Sequence, residues 1–242
     1  MKEGKVQRLG IRLAVAIGII YLKIRAKRFE IIGIENLPQS EESCLIVSNH
    51  IDYGDPPLLW LVLGRGIRFW AKRDITKLGP LDLLLIWILQ WLFGVIPINR
   101  NISDLSPIRK GRAAIAEGCW VGVFPEGMRN KQEIPVLQPA YVGAALLARQ
   151  TGVLIVPIGI QGTRGLLNPG AVLSAIWRPW RLLESHTIIV TIGKPFNLPE
   201  KAGRRGRESV IQDAHFIQQQ IAQLLPKELR GEFAQETTSA RE

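Results

Sequence analysis

The chain has 242 residues, with 31 Lys and Arg against 21 Asp and Glu and a formal net charge of +10. That length holds one well-buried α/β domain with an appended element and falls short of two full domains. The charge selects an anionic partner, nucleic acid or an anionic membrane face, and the two cysteines, Cys44 and Cys119, lack any Cys-x-x-Cys or Cys/His spacing, which argues against a structural metal.

Residues 1–28 form the first element. Leu13 to Leu22 is an apolar run of ten residues, too short to cross a bilayer. Its basic lead-in resembles a signal peptide, but Lys23-Ile24-Arg25-Ala26-Lys27-Arg28 offers no small-residue cleavage site. Val6, Leu9, Leu13, Ile17, Ile20 and Ile24 recur at helical spacing, while Lys5, Arg8 and Arg12 gather on another face. Such a helix suits the headgroup layer of an anionic membrane; the alternative is a helix docked on the protein's own core. Trp60, Trp70, Trp87 and Trp91 cluster in the apolar first half, a distribution that fits a bilayer interface or ordinary core packing.

Phe29 to Ile34 then reads as an edge strand, Leu45 to Ser48 as a central strand, Pro56 to Leu63 as a helix and Ile67 to Ala71 as a short strand. Leu81 to Phe93 is a very apolar helix, and Ile108 to Gly118 a polar-faced one. The strand Val121 to Phe124, the helix Gly143 to Thr151 and the strand Leu154 to Ile158, broken at Pro157, follow. Gly162 to Pro179 is a Gly- and Pro-rich loop over one side of the sheet. Thr187 to Ile192 is a β-branched strand, Ser209 to Leu225 the last helix, and 227–242 a polar tail expected to fray. Strands alternating with helices predict an α/β domain over 29–226, with a mixed, largely parallel central sheet and helices on both faces. Both cysteines lie beside predicted buried strands, which fits a reducing compartment.

The chemistry concentrates in Ser48-Asn49-His50-Ile51-Asp52-Tyr53-Gly54-Asp55-Pro56. His50 falls between a strand's carboxyl end and a helix start at Asp55-Pro56, where open α/β sheets keep their sites. A carboxylate five residues on can hold one imidazole nitrogen and leave the other free to take a proton. Asp52 is an alternative partner at a different spacing. Three further segments stand in order behind it: Gly94-Val95-Ile96-Pro97-Ile98-Asn99-Arg100, Val121-Gly122-Val123-Phe124-Pro125-Glu126-Gly127-Met128-Arg129, and Val153-Leu154-Ile155-Val156-Pro157-Ile158-Gly159.

In this order and spacing the four segments resemble the blocks of the glycerolipid acyltransferase family, the group that contains the 1-acylglycerol-3-phosphate acyltransferases, over residues 30 to 200. The resemblance implies transfer of a fatty acyl group from an acyl-CoA or acyl-carrier-protein thioester to the free hydroxyl of 1-acylglycerol-3-phosphate, giving phosphatidic acid, with another lysophospholipid or glycerol-3-phosphate as the alternative acceptor. His50 is the expected base and Asp55 its orienting partner. Gly-x-Ser-x-Gly is absent, so direct attack by the acceptor hydroxyl is expected rather than an acyl-enzyme. Arg100 and then Arg129 are the candidates for the acceptor's phosphate; Lys72 and Arg73 read as a solvated face. Glu126 is a candidate anchor for a glycerol hydroxyl. Gly127 allows close backbone approach, with turn amides there as candidates for the thioester oxyanion. Ile158 and Gly159 are expected to shape the acyl pocket. No cofactor or metal is implied.

Two positions depart from the family pattern. Met128 stands where the third block usually carries Thr or Ser, and Tyr141 where many members carry a lysine two residues before the helix-opening glycine, here Gly143. Both put the preferred head group in question, and Arg149, Arg164 and Arg178 are too distant in sequence to assign as replacements. His186 and His215 read as surface or capping residues. The competing class is a non-catalytic module for anionic lipid or nucleic acid, but no recognition helix, zinc pattern or interleaved surface aromatics support a nucleic-acid partner. The expected setting is the cytoplasmic face of a membrane.

Overall fold

A computed structural model describes residues 10, 13, 16–20, 23–39, 42–64, 66–72, 95–98, 105–166, 186–199 and 206–234. Among the described residues seven strands build one sheet: β1 (Ala26–Ile32), β2 (Cys44–Ser48), β3 (Ile67–Lys72), β4 (Ile96–Ile98), β5 (Trp120–Val123), β6 (Leu154–Gln161) and β7 (His186–Ile192). Their spatial order is β1-β7-β6-β2-β5-β3-β4. Every pairing is parallel except β6 with β7, so β1 and β7 run against the other five. Among the described residues the bounded helices are α1 (Asp55–Leu63), α2 (Ser106–Ala116), α3 (Gly143–Thr151) and α4 (Arg207–Ala222).

All five residues of β2 and all four of β5 are buried, as strands covered on both faces must be. Alternation sorts them between two cores. Leu45, Val47, Val121, Val123 and Ile155 pack with residues of α2, α3 and α4 on one face. Cys44, Ile46, Val156 and Ile158 pack with Leu58, Leu59, Trp60 and Leu63 of α1 on the other. Helices on both faces match the sequence-based expectation.

Several expectations need correction. Pro157 does not break its strand; it lies inside β6, opposite Val47 of β2. The β6–β7 ladder starts one residue later, at Ile158–Ile192, and the Pro157 carbonyl accepts the Gly193 N–H beyond it. The missing proline donor therefore faces a side where the neighbouring strand has ended. Trp60 is 7% exposed in the α1-side core and Trp70, half-buried, packs against the opposite one, as the core-packing alternative expects. The edge strand expected over Phe29 to Ile34 lies earlier, at Ala26–Ile32, with Ala26 already paired to His186. The tail does not fray at Lys227: Lys227–Leu229 and Gly231–Ala234 form 3-10 turns, and Phe233 enters the core. His215 packs its ring 4.9 Å from that phenylalanine.

Gly10, Leu13, 16–20 and Lys23–Arg25 are helical. Leu13, Ile17, Ile20 and Ile24 on this segment are exposed, while Gly18 lies against Leu61 of α1, where a Cβ would come within 2.8 Å of that side chain. Among the described residues no helix is long and apolar enough to cross a membrane. The predicted helix Leu81 to Phe93, Trp87, Trp91, and Trp177 and Arg178 of the predicted loop lie outside the described residues.

Candidate active site

Because β2, β3, β4, β5 and β6 are parallel, their carboxyl ends share one edge. His50 follows β2 there, and Glu126 follows the adjacent β5. His50 Nδ1 lies 2.9 Å from Asp55 Oδ2. The acceptor is a carboxylate, so Nδ1 carries the proton and Nε2 has its lone pair available. Asp55 is fully buried, and the same oxygen accepts the N–H groups of Ile51 (2.6 Å) and Asp52 (2.8 Å). Helix α1 opens Asp55-Pro56-Pro57, and neither proline has an N–H. With the Leu58 N–H given to the Gly54 carbonyl, the carboxylate expected to cap the helix finds no free donor in the first turn, turns back to the loop, and holds the imidazole.

The ring of His50 stacks on Phe124, with centroids 4.1 Å apart, and Phe124 stacks on Phe69 at 5.5 Å. Phe69 covers Gly122, where a Cβ would sit 2.3 Å from its ring; only glycine lets this aromatic stack settle onto the sheet. The main chain of His50 is held as firmly. Its N–H donates to Glu126 Oε1 at 2.9 Å, and its carbonyl accepts the Asn130 N–H at 2.7 Å. Glu126 Oε2 accepts the Gln138 N–H at 3.2 Å. Asn49 pairs both ways with the backbone of Ile160, Nδ2 to its carbonyl and Oδ1 from its N–H, at 2.9 and 2.8 Å. The buried side chain thereby extends the β2–β6 ladder past the last strand residue.

Glu126 is 3% exposed, and burial pushes its carboxyl up to about 7 against the pull of the two backbone N–H donors, with the Asp55 charge adding to the rise. Both of its oxygens face backbone amides of the site's own loops. Gly127 takes a left-handed φ of 68° and gives its N–H to the Phe124 carbonyl, so that amide closes the turn. The N–H groups of Met128 and Arg129 make no hydrogen bond among the described residues. The Arg129 guanidinium lies 3.4 Å above the Tyr53 ring, which places it over the His50–Asp55 loop. Tyr141, which gives its N–H to the Pro125 carbonyl, sets its ring where a Cβ on Gly127 would meet it at 2.7 Å. Both departures from the family pattern, Met128 and Tyr141, therefore flank one glycine, and both are exposed.

The fold brings together His50, Asp55, Glu126, Gly127 and Arg129. Arg100 lies outside the described residues, beyond the end of β4. Ile158 is a core residue of β6, and a Cβ on Gly159 would meet Leu224 at 2.9 Å. Asp52 does not face His50: its oxygens accept the N–H groups of Gly54 (2.9 Å) and Gly165 (3.0 Å). Arg149 pairs with Asp213 and Ser209 of α4, while Arg164 donates to the carbonyls of Asn130 and Gln132 and braces the segment behind Arg129. Asn49, Phe124, Asn130 and Gln138 were not singled out from sequence. Three of the four stand inside or directly beside the motif segments, and that adjacency was the available signal.

Residues 28–161 match the family described as Acyltransferase. A chloroplastic 1-acyl-sn-glycerol-3-phosphate acyltransferase of Brassica napus, BAT2, is 34% identical over 160 residues, 62% of this chain and 44% of that protein. The human 1-acyl-sn-glycerol-3-phosphate acyltransferase beta is 36% identical over 134 residues, 54% of this chain and 45% of that protein. The chain thus spans less than half the length of these relatives. The crystal structure of PlsC from Thermotoga maritima, a 1-acyl-sn-glycerophosphate acyltransferase, shares the fold with a TM-score of 0.62 at 18% identity, covering 100% of this chain and 85% of that one.

Proposed function

This chain belongs to the acyltransferase family, and on that premise we propose that it moves a fatty acyl group from an acyl-CoA or acyl-carrier-protein thioester to the free hydroxyl of 1-acylglycerol-3-phosphate. The observation that carries the reading is the His50–Asp55 contact of 2.9 Å at the carboxyl edge of the sheet, with Nε2 left as the basic nitrogen. As the hydroxyl oxygen attacks the thioester carbon, its proton passes to Nε2, and buried Asp55 stabilises the imidazolium. The C–O bond forms, the C–S bond breaks, and the imidazolium returns the proton to the departing thiolate. The products are phosphatidic acid and the free thiol.

Glu126 supports this step by fixing the main chain of His50. The N–H groups of Met128 and Arg129 are candidates for the thioester oxyanion. Arg129 is the phosphate contact among the described residues, and Arg100 the second by family resemblance. The exposed stripe Leu13, Ile17, Ile20 and Ile24 supports association with an anionic membrane surface, on its cytoplasmic face. A second acceptor class, another lysophospholipid, is favoured by the pairing of Met128 and Tyr141 around Gly127, where the family pattern has a hydroxyl and a cation.

The test is acyl transfer from a long-chain acyl-CoA, and separately from an acyl-carrier protein, to a panel of lysophospholipids. Product from lysophosphatidic acid that disappears in His50→Ala is the expected result. Product confined to another head group moves the reading to that lipid. Equal turnover by His50→Ala would falsify the assignment of the base.

A further inference from the structure

We propose that Arg25 is a positioning residue for the His50–Asp55 pair, acting through Gly165 and Asp52; this rests on the reading of His50 as the base. Arg25 ends the N-terminal helical segment and directly precedes β1. It is 4% exposed in a chain of net charge +10, and a guanidinium is always charged, so its burial requires good hydrogen-bond partners. Its Nη2 donates to the Gly165 carbonyl at 2.9 Å and lies 3.0 Å from His186 Nε2. That contact makes Nε2 of the half-buried His186 the acceptor.

Gly165 has a left-handed φ of 76°, a conformation that side-chain-bearing residues seldom adopt. There its carbonyl meets Arg25 while its N–H donates to Asp52 Oδ2 at 3.0 Å. The turn is pinned by the Leu166 N–H on the Thr163 carbonyl, with both residues buried. Asp52 Oδ1 accepts the Gly54 N–H, and the Asp52 N–H donates to the same Asp55 oxygen that holds His50. Four hydrogen bonds in series therefore run from Arg25 to the imidazole. They pass through the buried carboxylates of Asp52 and Asp55 and an exposed turn glycine whose conformation the Leu166–Thr163 bond fixes, and partners held in this way let a displacement at one end be felt at the other. The segment that ends in Arg25 also carries the exposed apolar stripe, so how that segment is seated and how His50 is held become one question.

The test is a double-mutant cycle on the full chain with Arg25→Gln, Asp52→Ala and the pair, read by steady-state kinetics and by nitrogen-15 NMR of the labelled histidine rings. Each single variant is expected to lower kcat by about tenfold, with KM for lysophosphatidic acid within about twofold, and the pair to lose no more than the worse single. The His50 Nδ1–H signal is expected to shift in both single variants. Arg28→Gln, which removes a surface pairing with Glu30, is the control that changes neither readout. Independent, multiplying losses, or an unmoved His50 signal in folded Arg25→Gln, would overturn the proposal. Should Arg25→Gln not fold, Gly165→Ala breaks the same link, since an added Cβ there meets only His186, at 3.9 Å, and the effect comes through φ. If the wild type transfers no acyl group, the reading of His50 as base fails in that assay, and the NMR comparison still decides the linkage.

Discussion

The loop from His50 to Asp55 and the turn from Gly127 to Arg129 occupy the same edge of the sheet, yet their polar groups are held in different ways. In the loop, both main-chain groups of His50, its Nδ1 and one oxygen of Asp55 are all engaged at 2.6–2.9 Å, and the ring is stacked as well. In the turn, Met128 is 52% exposed, and Arg129 is held by one aromatic face with no ion pair among the described residues. Proton transfer demands placement to a fraction of an ångström, which redundant hydrogen bonds supply. On the proposed reading the turn recognises a head group, a task that tolerates adjustment, and a side chain with few partners can change without moving His50.

The sharpest way to break this contrast is Asp55→Asn. An asparagine can still accept from the loop amides but offers the imidazolium no charge, so kcat is expected to fall by about 10³- to 10⁴-fold with the fold retained. Steady-state kinetics beside a thermal unfolding curve decide it; a loss below about tenfold would mean that the loop is rigid for some other purpose.

Glu126→Gln comes next, with about a tenfold loss in kcat, because an amide nitrogen facing a backbone N–H replaces an acceptor. It also carries a pH signature. The folded carboxyl, at about 7, stands above its ordinary 4.5, so the fold keeps a proton that the unfolded chain has released. The contribution of Glu126 to stability is therefore greatest below about 4.5 and is lost as pH rises through about 7, a change of up to about 3 kcal/mol. Denaturant unfolding near pH 5 and near pH 8 is expected to show the wild type losing stability relative to the glutamine variant; parallel behaviour would place Glu126 in a wetter setting than its burial indicates.

On the other side of the contrast, Arg129→Ala is expected to raise KM for lysophosphatidic acid about tenfold and to leave kcat within about threefold, the mark of binding lost without chemistry. A collapse of kcat instead would bring Arg129 inside the rigid half. Met128→Thr, the smallest change, is expected to shift preference among lysophospholipid head groups by about two- to threefold at constant stability, measured by competition between two acceptors.

The His50–Asp55 pair was legible because the interaction is local, five residues apart and flanked by a buried strand and a proline-marked helix start. The two central strands were legible because burial on both faces leaves continuous apolar runs. Glu126 was legible as part of the site but not in what it does: its partners are the amides of His50, 76 residues away in sequence, and Gln138. No local rule states which amides a buried carboxylate will meet. Asn49 and Phe124 lay within quoted motifs, yet their contacts depend on Ile160 of β6 and on the ring of Phe69 lying over Gly122. Pro157 misled for a related reason, since a proline's effect on a strand depends on which neighbour has already stopped. Arg25 reads in sequence as one more cation in a basic run, and only the turn at Gly165 distinguishes it.

The single antiparallel step between β6 and β7 reverses β1 as well, so the chain enters the sheet at the edge where His50 stands. For a substrate with a long hydrocarbon tail this arrangement bears on the length of its excursion. Withdrawing such a lipid fully into water costs about 0.8 kcal/mol for each methylene. On the proposed reading, a segment resting in the headgroup layer and joining the fold beside His50 would let the acceptor hydroxyl arrive with most of its tail still among other lipids. The search for substrate would then become lateral diffusion in two dimensions, with the product released where its tail already lies.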